Sequence, residues 1–140
     1  MPLYVIATPI GNLDDVTVRT LSTLRGLDLL LAEDTRVTRR LLLRYDITVK
    51  MESYREEVHG RMVPKVAELL RDGAKIGLAS DAGTPGIADP GARLVRDLVA
   101  LIPDLVVIAI PGPSAVAAAL SVAGLPADEF LFLGFPPHKK

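Results

Sequence analysis

Five short apolar runs, each followed by a segment with helical spacing, set the pattern of this chain. The runs span residues 3–8, 28–32, 49–54, 75–79 and 105–110. In the segments between them apolar residues recur every three or four positions, as at Met62, Val66 and Leu70, which is typical of amphipathic helices. This alternation predicts an α/β fold, with a five-stranded, mostly parallel sheet and helices on both faces.

Residues at the segment boundaries predict where elements begin and end. Asp14 or Asp15 is predicted to cap the first helix, and Asp89 to cap the fourth, with Pro90 at its first position. Residues 130–135 are a possible further strand. We assign residues 3–135 to one domain and residues 136–140, Pro-Pro-His-Lys-Lys, to the start of a linker to an absent second domain.

Composition narrows the function classes. The net charge of −1 provides no global field for nucleic acid, so RNA binding requires a local patch. The absence of cysteine excludes disulfides, thiolate catalysis and cysteine-type zinc sites. It is also compatible with a cytoplasmic location, and we predict that location for the protein. The longest apolar stretch, residues 105–125, is broken by Pro111, Gly112 and Pro113, so we predict no membrane span.

Three loops at the predicted carboxyl ends of strands are rich in glycine and proline and poor in long side chains. They span residues 8–12, 81–87 and 111–114. Loops at this edge of an open α/β sheet are where such folds bind ligands. We therefore predict a mostly backbone-lined pocket, with residues 81–87 in contact with a ligand and Asp81 as its only acidic side chain.

The sequence Glu33-Asp34-Thr35-Arg36 follows the second strand and has two interpretations. Asp34 or Thr35 is suited to cap the next helix, and a substrate-side role for the acids stays open. On that helix Arg36, Arg40 and Arg44 share one face, with Arg39 beside them. This face is either solvated surface or a contact for RNA phosphates.

Other site types find no support in the sequence. The phosphate-binding pattern GxxxxGK[ST], the dinucleotide pattern GxGxxG and the nucleophile-elbow pattern GxSxG are all absent. The two histidines, His59 and His138, lack metal-ligand spacing. We predict that both are exposed to solvent and that the protein binds no metal.

Four motifs occur in order: Ala-Thr-Pro-Ile-Gly-Asn at 7–12, Glu-Asp-Thr-Arg at 33–36, Ser-Asp-Ala-Gly-Thr-Pro-Gly-Ile at 80–87 and Pro-Gly-Pro-Ser-Ala at 111–115. Together they resemble the tetrapyrrole-methylase-type family of S-adenosylmethionine-dependent methyltransferases, over residues 3–135. The resemblance implies two α/β domains, S-adenosyl-L-methionine in the cleft between them, and a homodimer. It is strongest to members that methylate the ribose 2′-hydroxyl of a cytidine in the 16S rRNA of the small ribosomal subunit.

The resemblance also implies roles for individual residues. Asp34, and next Glu33, are the candidate proton acceptors, and RNA contacts are expected from Arg36, Arg39 and Arg40. The expected cofactor-binding residues are Pro9, Asp81, Ala82, Gly83, Thr84, Ile87, Pro111, Gly112 and Ser114. Two alternatives stay open: a cofactor-binding half-domain without activity of its own, and a corrin or porphyrin carbon methyltransferase of the same fold.

Two departures from the family pattern bear on the site. Ala7 stands where relatives usually have glycine, which leaves less room at the end of the first strand. Arg55-Glu56-Glu57 stands where relatives of the rRNA type usually have a His-Glu-His stretch, so a proton-transfer role for this segment is not expected.

Overall fold

The computed structural model describes residues 1–136, and five strands and five α-helices alternate along them. His138 and most of the predicted linker lie outside these residues. The strands are β1 (Pro2–Ile6), β2 (Leu29–Ala32), β3 (Met51–Ser53), β4 (Ile76–Ala79) and β5 (Val106–Ile110). The helices are α1 (Val18–Arg25), α2 (Thr35–Arg44), α3 (His59–Arg71), α4 (Gly91–Leu101) and α5 (Ala115–Val122).

The strands form one sheet in the order β3-β2-β4-β1-β5, and every strand pair in it is parallel. The predicted fold class is therefore confirmed. The central strands β2 and β4 are buried along their whole length, which explains why their sequences are continuous apolar runs.

Two hydrophobic cores cover the two faces of the sheet. Leu24 of α1 and Leu41 of α2 pack with Ile6 on one face. On the other face Leu70 of α3 and Leu98 of α4 pack in one core with strand residues that include Leu3, Leu31 and Leu78. The two strands that flank β4, which are β1 and β2, are followed by α1 and α2 on one face of the sheet, whereas β4 is followed by α4 on the other face.

Several details differ from the sequence expectations. The cap of α1 is Thr17, whose hydroxyl accepts the Thr20 N–H, rather than Asp14 or Asp15, which lie in a preceding turn of 3₁₀ helix. Residues 130–135 form no strand. The apolar residues Phe130, Leu131, Phe132, Leu133 and Phe135 within this segment are exposed, and α5 has no buried residue.

The prediction of an exposed His59 is wrong. Its side chain is buried, and its two ring nitrogens contact the hydroxyl of Tyr54 at 2.7 Å and a carboxylate oxygen of Asp97 at 2.8 Å. A polar side chain is stable in a core when its hydrogen bonds are made there. These three residues connect the end of β3 with α3 and α4.

Candidate functional site

A crevice opens at the carboxyl ends of β2 and β4, where the chain leaves the sheet toward opposite faces. Such a reversal point is the usual ligand site of an open α/β sheet. Asp34 follows β2 and Asp81 follows β4, and the backbone N–H of Asp34 donates to Oδ1 of Asp81 at 2.8 Å. This bond holds the Asp81 carboxylate at the crevice.

The loop after β4 is also fixed to the loop after β1. The backbone groups of Thr8 and Gly83 exchange two hydrogen bonds, of 2.9 and 3.0 Å. The Thr8 hydroxyl donates to the carbonyl of Ser80 at 3.3 Å. Gly83 has φ +77°, a value that disfavours any side chain, so glycine permits this bridge.

The third predicted loop, after β5, packs against the other two. The Thr84 hydroxyl lies 3.5 Å from the carbonyl oxygen of Pro113. A Cβ atom on Gly112 would lie 2.9 Å from the Cβ of Ala7, so the methyl group of Ala7 fills the space that Gly112 leaves. The structure thus brings the three loops together, and Ala7 fits at this position only against a glycine.

On the α1 and α2 side of the crevice lies a cavity of about 470 Å³, here called the α2 cavity. Its walls come from the loop after β1, from α2 and from the start of the loop after β4. The lining residues are Thr8, Pro9, Ile10, Gly11, Leu13, Val37, Thr38, Arg40, Leu41, Ser80, Asp81 and Ala82. Three expected cofactor contacts, Pro9, Asp81 and Ala82, therefore share a cavity with one expected RNA contact, Arg40.

On the α3 and α4 side lies a second cavity, of about 600 Å³, here called the acidic cavity. Its lining residues are Glu33, Arg55, Glu56, Glu57, Asp81, Ala88, Asp89 and Pro90. Five of the eight carry carboxylates, and Asp81 lines both cavities. The segment at 55–57, which departs from the family pattern, belongs to this wall.

The remaining expected cofactor contacts lie along the loop after β4 and beside α5. Ile87 and Ser114 line an apolar cavity of about 330 Å³ together with Val116, Ala117, Leu120, Phe130 and Phe132. Pro111 is exposed at the end of β5. The expected cofactor contacts are therefore divided between cavities, with Asp81 in the α2 and acidic cavities and Ile87 in the apolar one, rather than gathered in a single pocket.

The Asp34 carboxylate is occupied by local contacts. It accepts the Arg36 N–H as the cap of α2, which confirms the capping prediction, and it also forms an ion pair with the Arg36 guanidinium at 2.6 Å. Arg55 contributes a further contact at 3.6 Å. Hydrogen bonds from Arg36 hold the pKa of Asp34 far below its ordinary value.

Glu33 is in the opposite electrostatic situation. Its carboxylate lines the acidic cavity, and partial burial together with the nearby charge of Asp81 raises its pKa. A carboxylate with a raised pKa is a stronger base than one held by arginine.

Asp89 orders the turn that leads into α4. Its carboxylate accepts hydrogen bonds from the N–H of Gly86 at 2.9 Å and of Gly91 at 2.7 Å. The helix begins at Gly91 and its cap position is Pro90, which makes no side-chain cap hydrogen bond, so Asp89, the predicted cap, lies one residue before the cap position although its carboxylate accepts the first helical N–H. Ala88, with φ +59°, adopts a left-handed backbone conformation within this turn.

The arginine face of α2 divides into paired and unpaired residues. Arg36 pairs with Asp34, and Arg44 pairs with Asp14 at 3.2 Å. Within residues 1–136 neither Arg39 nor Arg40 has an ion-pair partner, and only Arg40 lines the α2 cavity.

Sequence reasoning missed the helical wall of the α2 cavity. Val37, Thr38 and Leu41 line it. The apolar spacing of this segment predicts only an amphipathic helix with one side toward the core. Thr38 is the clearest signal, because a hydroxyl on the buried face of a helix needs a partner, and its Oγ1 has none among the described residues.

Neither a metal cluster nor a membrane-crossing helix is found in the part of the chain that the structure describes. No group of three or more metal-ligating side chains comes together in residues 1–136. No helix in the same range combines the length and apolar character needed to span a bilayer.

Comparison with known proteins identifies relatives. The chain is 50% identical over 137 residues to ribosomal RNA small subunit methyltransferase I of Mesorhizobium japonicum, covering 98% of this chain and 46% of that protein. It is 44% identical over 138 residues to the protein of the same name from Thermotoga maritima, covering 99% and 61%. The chain therefore spans roughly half the length of these curated relatives.

Structural comparison and the family model agree with this result. The crystal structure of uroporphyrin-III-C-methyltransferase from Thermus thermophilus matches with a TM-score of 0.62 over 91% of this chain and 54% of that one, at 19% identity, which shows a shared fold. The model of the Tetrapyrrole (Corrin/Porphyrin) Methylases matches residues 2–134. The chain therefore belongs to the tetrapyrrole methylase family.

Proposed function

We propose that this chain is the part of an S-adenosylmethionine-dependent methyltransferase that provides the crevice at the carboxyl ends of β2 and β4. We propose that the enzyme acts on the ribose 2′-hydroxyl of a cytidine in 16S rRNA. The observation that carries the proposal is the 50% identity, over 98% of the chain, to a protein named ribosomal RNA small subunit methyltransferase I. The reaction belongs in the cytoplasm, where the small ribosomal subunit is the substrate.

The cofactor site is proposed along the loop after β4. A bound S-adenosylmethionine would supply a methyl group already activated by its sulfonium. Carboxylates favour a cation nearby, and Asp81 and Glu33 present theirs at the crevice. Thr84, Ile87 and Ser114 extend the same surface toward α5.

For proton removal we propose Glu33, the second candidate from the sequence, ahead of Asp34. The Asp34 carboxylate is held by Arg36, whereas Glu33 lines an open cavity and its pKa is raised by burial and by Asp81. The protein's task is to align the 2′-oxygen with the methyl group and exclude water while Glu33 accepts the proton.

A second domain is proposed to complete the cofactor cleft. The apolar cavity beside α5 and the exposed aromatic residues Phe130, Phe132 and Phe135 form a surface that a soluble protein normally covers. The relatives are longer than this chain, and we propose that the segment which extends them packs here, with homodimer formation by the complete protein.

The partial length favours a second candidate, a cofactor-binding half-site that has no activity alone. The test is methyl transfer from radiolabelled S-adenosylmethionine to small ribosomal subunits that lack the modification. The product of the complete reading frame is compared with the 140-residue chain. Labelling of 16S rRNA by the complete protein alone supports the half-site, and labelling by neither contradicts the methyltransferase proposal.

A further inference from the structure

We infer that the α2 cavity is a subsite for one ribonucleotide of the substrate RNA, with Arg40 holding its phosphate and the Thr38 hydroxyl contacting its base or sugar. This inference rests on the proposed function and adds the place and the residues of substrate recognition. Three independent features of the cavity support it: its shape, its unpaired cation and its unpartnered hydroxyl.

The size and walls of the cavity suit a flat, partly apolar ligand. A volume of about 470 Å³ lies within the range of small-molecule sites, roughly 300–1,000 Å³. Ile10 and Val37 expose apolar side chains at its rim although both are large hydrophobic residues. Enzymes that carry out chemistry on a base commonly extrude that nucleotide from its stack into such a pocket.

The cation of the α2 cavity, Arg40, favours a nucleotide over the cofactor, whereas the one carboxylate among its lining residues, Asp81, lies where this cavity meets the acidic cavity. Arg40 lines the cavity and has no ion-pair partner within residues 1–136, whereas Arg36 and Arg44 on the same helix are paired with acids. A free guanidinium attracts a phosphodiester and repels the sulfonium of S-adenosylmethionine. The carboxylates that line the acidic cavity instead attract the sulfonium and repel a phosphodiester.

Thr38 provides the second polar contact. Its side chain is 4% exposed and lines the cavity, and Oγ1 has no hydrogen-bond partner among the described residues. A threonine in a helix has two accessible χ1 rotamers, so the hydroxyl can turn toward a ligand when one is bound. A buried hydroxyl without a partner destabilises the free protein, and a ligand that pairs with it removes that cost.

The test is methyl-resolved NMR of the 140-residue chain, titrated separately with cytidine 5′-monophosphate, cytidine and S-adenosylhomocysteine. The methyl groups of Ile10, Leu13, Val37 and Leu41 report on the α2 cavity, and those of Ile87, Val116 and Leu120 report on the proposed cofactor surface. We expect the monophosphate to shift the first set and to bind roughly tenfold more tightly than cytidine, the effect of one charge-assisted contact.

Variants separate the contributions of the two side chains. Arg40→Gln is expected to reduce monophosphate affinity to that of cytidine, and Arg40→Lys to restore part of it. Thr38→Val is expected to weaken the binding of both cytidine and its monophosphate by roughly tenfold or less while leaving the free protein equally or more stable. Arg19→Gln, a change of an exposed arginine on α1 outside the cavity, is the matched control and should bind as the parent does.

The outcomes distinguish failure of the subsite from failure of the proposed function. Shifts of the first set by S-adenosylhomocysteine would overturn the inference, because the α2 cavity would then hold the cofactor. Binding of S-adenosylhomocysteine at the second set, without nucleotide binding at the first, would overturn the subsite and leave the proposed methyltransferase intact. Binding of neither ligand would count against both.

Discussion

Replacement of Tyr54 by phenylalanine tests the buried polar chain that joins β3, α3 and α4. The Asp97 carboxylate only accepts hydrogen bonds, so Nε2 of His59 carries the hydrogen in their 2.8 Å contact. In the neutral ring Nδ1 is then an acceptor, and the hydroxyl of Tyr54 donates to it at 2.7 Å. Burial raises the pKa of Tyr54, which keeps the phenol protonated and able to donate.

The expected loss follows from the burial of both partners. Tyr54 is 1% exposed and His59 is 6% exposed, so water cannot replace the hydroxyl that the substitution removes. An unsatisfied buried acceptor costs about 1–3 kcal/mol. The second contact of the Tyr54 hydroxyl, to the carbonyl of Pro90 at 3.4 Å, is long and contributes little. We expect a loss of about 2 kcal/mol, and for a domain of this size a fall in Tm of roughly 5–10 °C.

Urea unfolding followed by circular dichroism measures this loss, and the chain supplies a matched control. Tyr4→Phe removes the same atom from a half-buried tyrosine on β1 whose hydroxyl makes no hydrogen bond among the described residues. We expect the control to change stability by less than about 0.5 kcal/mol. Equal effects of the two substitutions would refute the reasoning, since the effect would then not arise from the contact with His59.

Three further predictions concern packing, acid stability and catalysis. Gly77→Ala places a Cβ within 3.1 Å of three leucine and isoleucine methyl carbons and is expected to destabilise the fold by about 1–3 kcal/mol. Gly60→Ala, whose Cβ meets no atom within 4 Å, is expected to stabilise α3 by about 0.5–1 kcal/mol. Thermal denaturation should therefore give Tm shifts of opposite sign for the two variants. Arg36 lowers the folded-state pKa of Asp34. The negative charge of Asp34 therefore stabilises the fold at pH values above the ordinary carboxyl pKa, and this stabilisation is lost as the pH falls toward the folded-state pKa. Asp34→Asn keeps a capping side chain but not the charge, so its urea midpoint should fall less between pH 5 and pH 2.5 than that of the parent; an equal fall would contradict this assignment. Glu33→Gln in the complete protein is expected to lower methyl transfer roughly 10²- to 10⁴-fold and to abolish a rise in rate with pH through the raised Glu33 pKa, and an unchanged pH profile would exclude Glu33 as the proton acceptor.

Much of the fold could be predicted because its signals are local. The continuous apolar runs of β2 and β4 follow from burial on both faces, and the capping role of Asp34 follows from its position before α2. His59 could not be placed in this way, since its burial depends on Tyr54 and on Asp97, which lies 38 positions away. Residues 130–135 have strand-like composition, yet they find no neighbouring strand in the described part of the chain.

The candidate site shows the same division. The three glycine- and proline-rich loops were identifiable from composition, and Gly83 adopts the positive φ that such loops need. The separation into an α2 cavity and an acidic cavity was not identifiable, because it depends on the sheet order that places β4 between β1 and β2. The position of Asp81 between the two cavities is therefore a result of topology.

The measurement that tests the central claim most directly is a calorimetric titration with S-adenosylhomocysteine. It is carried out on the 140-residue chain, on its Asp81→Asn variant and on the product of the complete reading frame. We predict saturable binding by the complete protein, weaker binding by this chain, and a further loss when the Asp81 carboxylate is removed. Absence of binding by all three would contradict the assignment of the crevice at the carboxyl ends of β2 and β4 as a cofactor site.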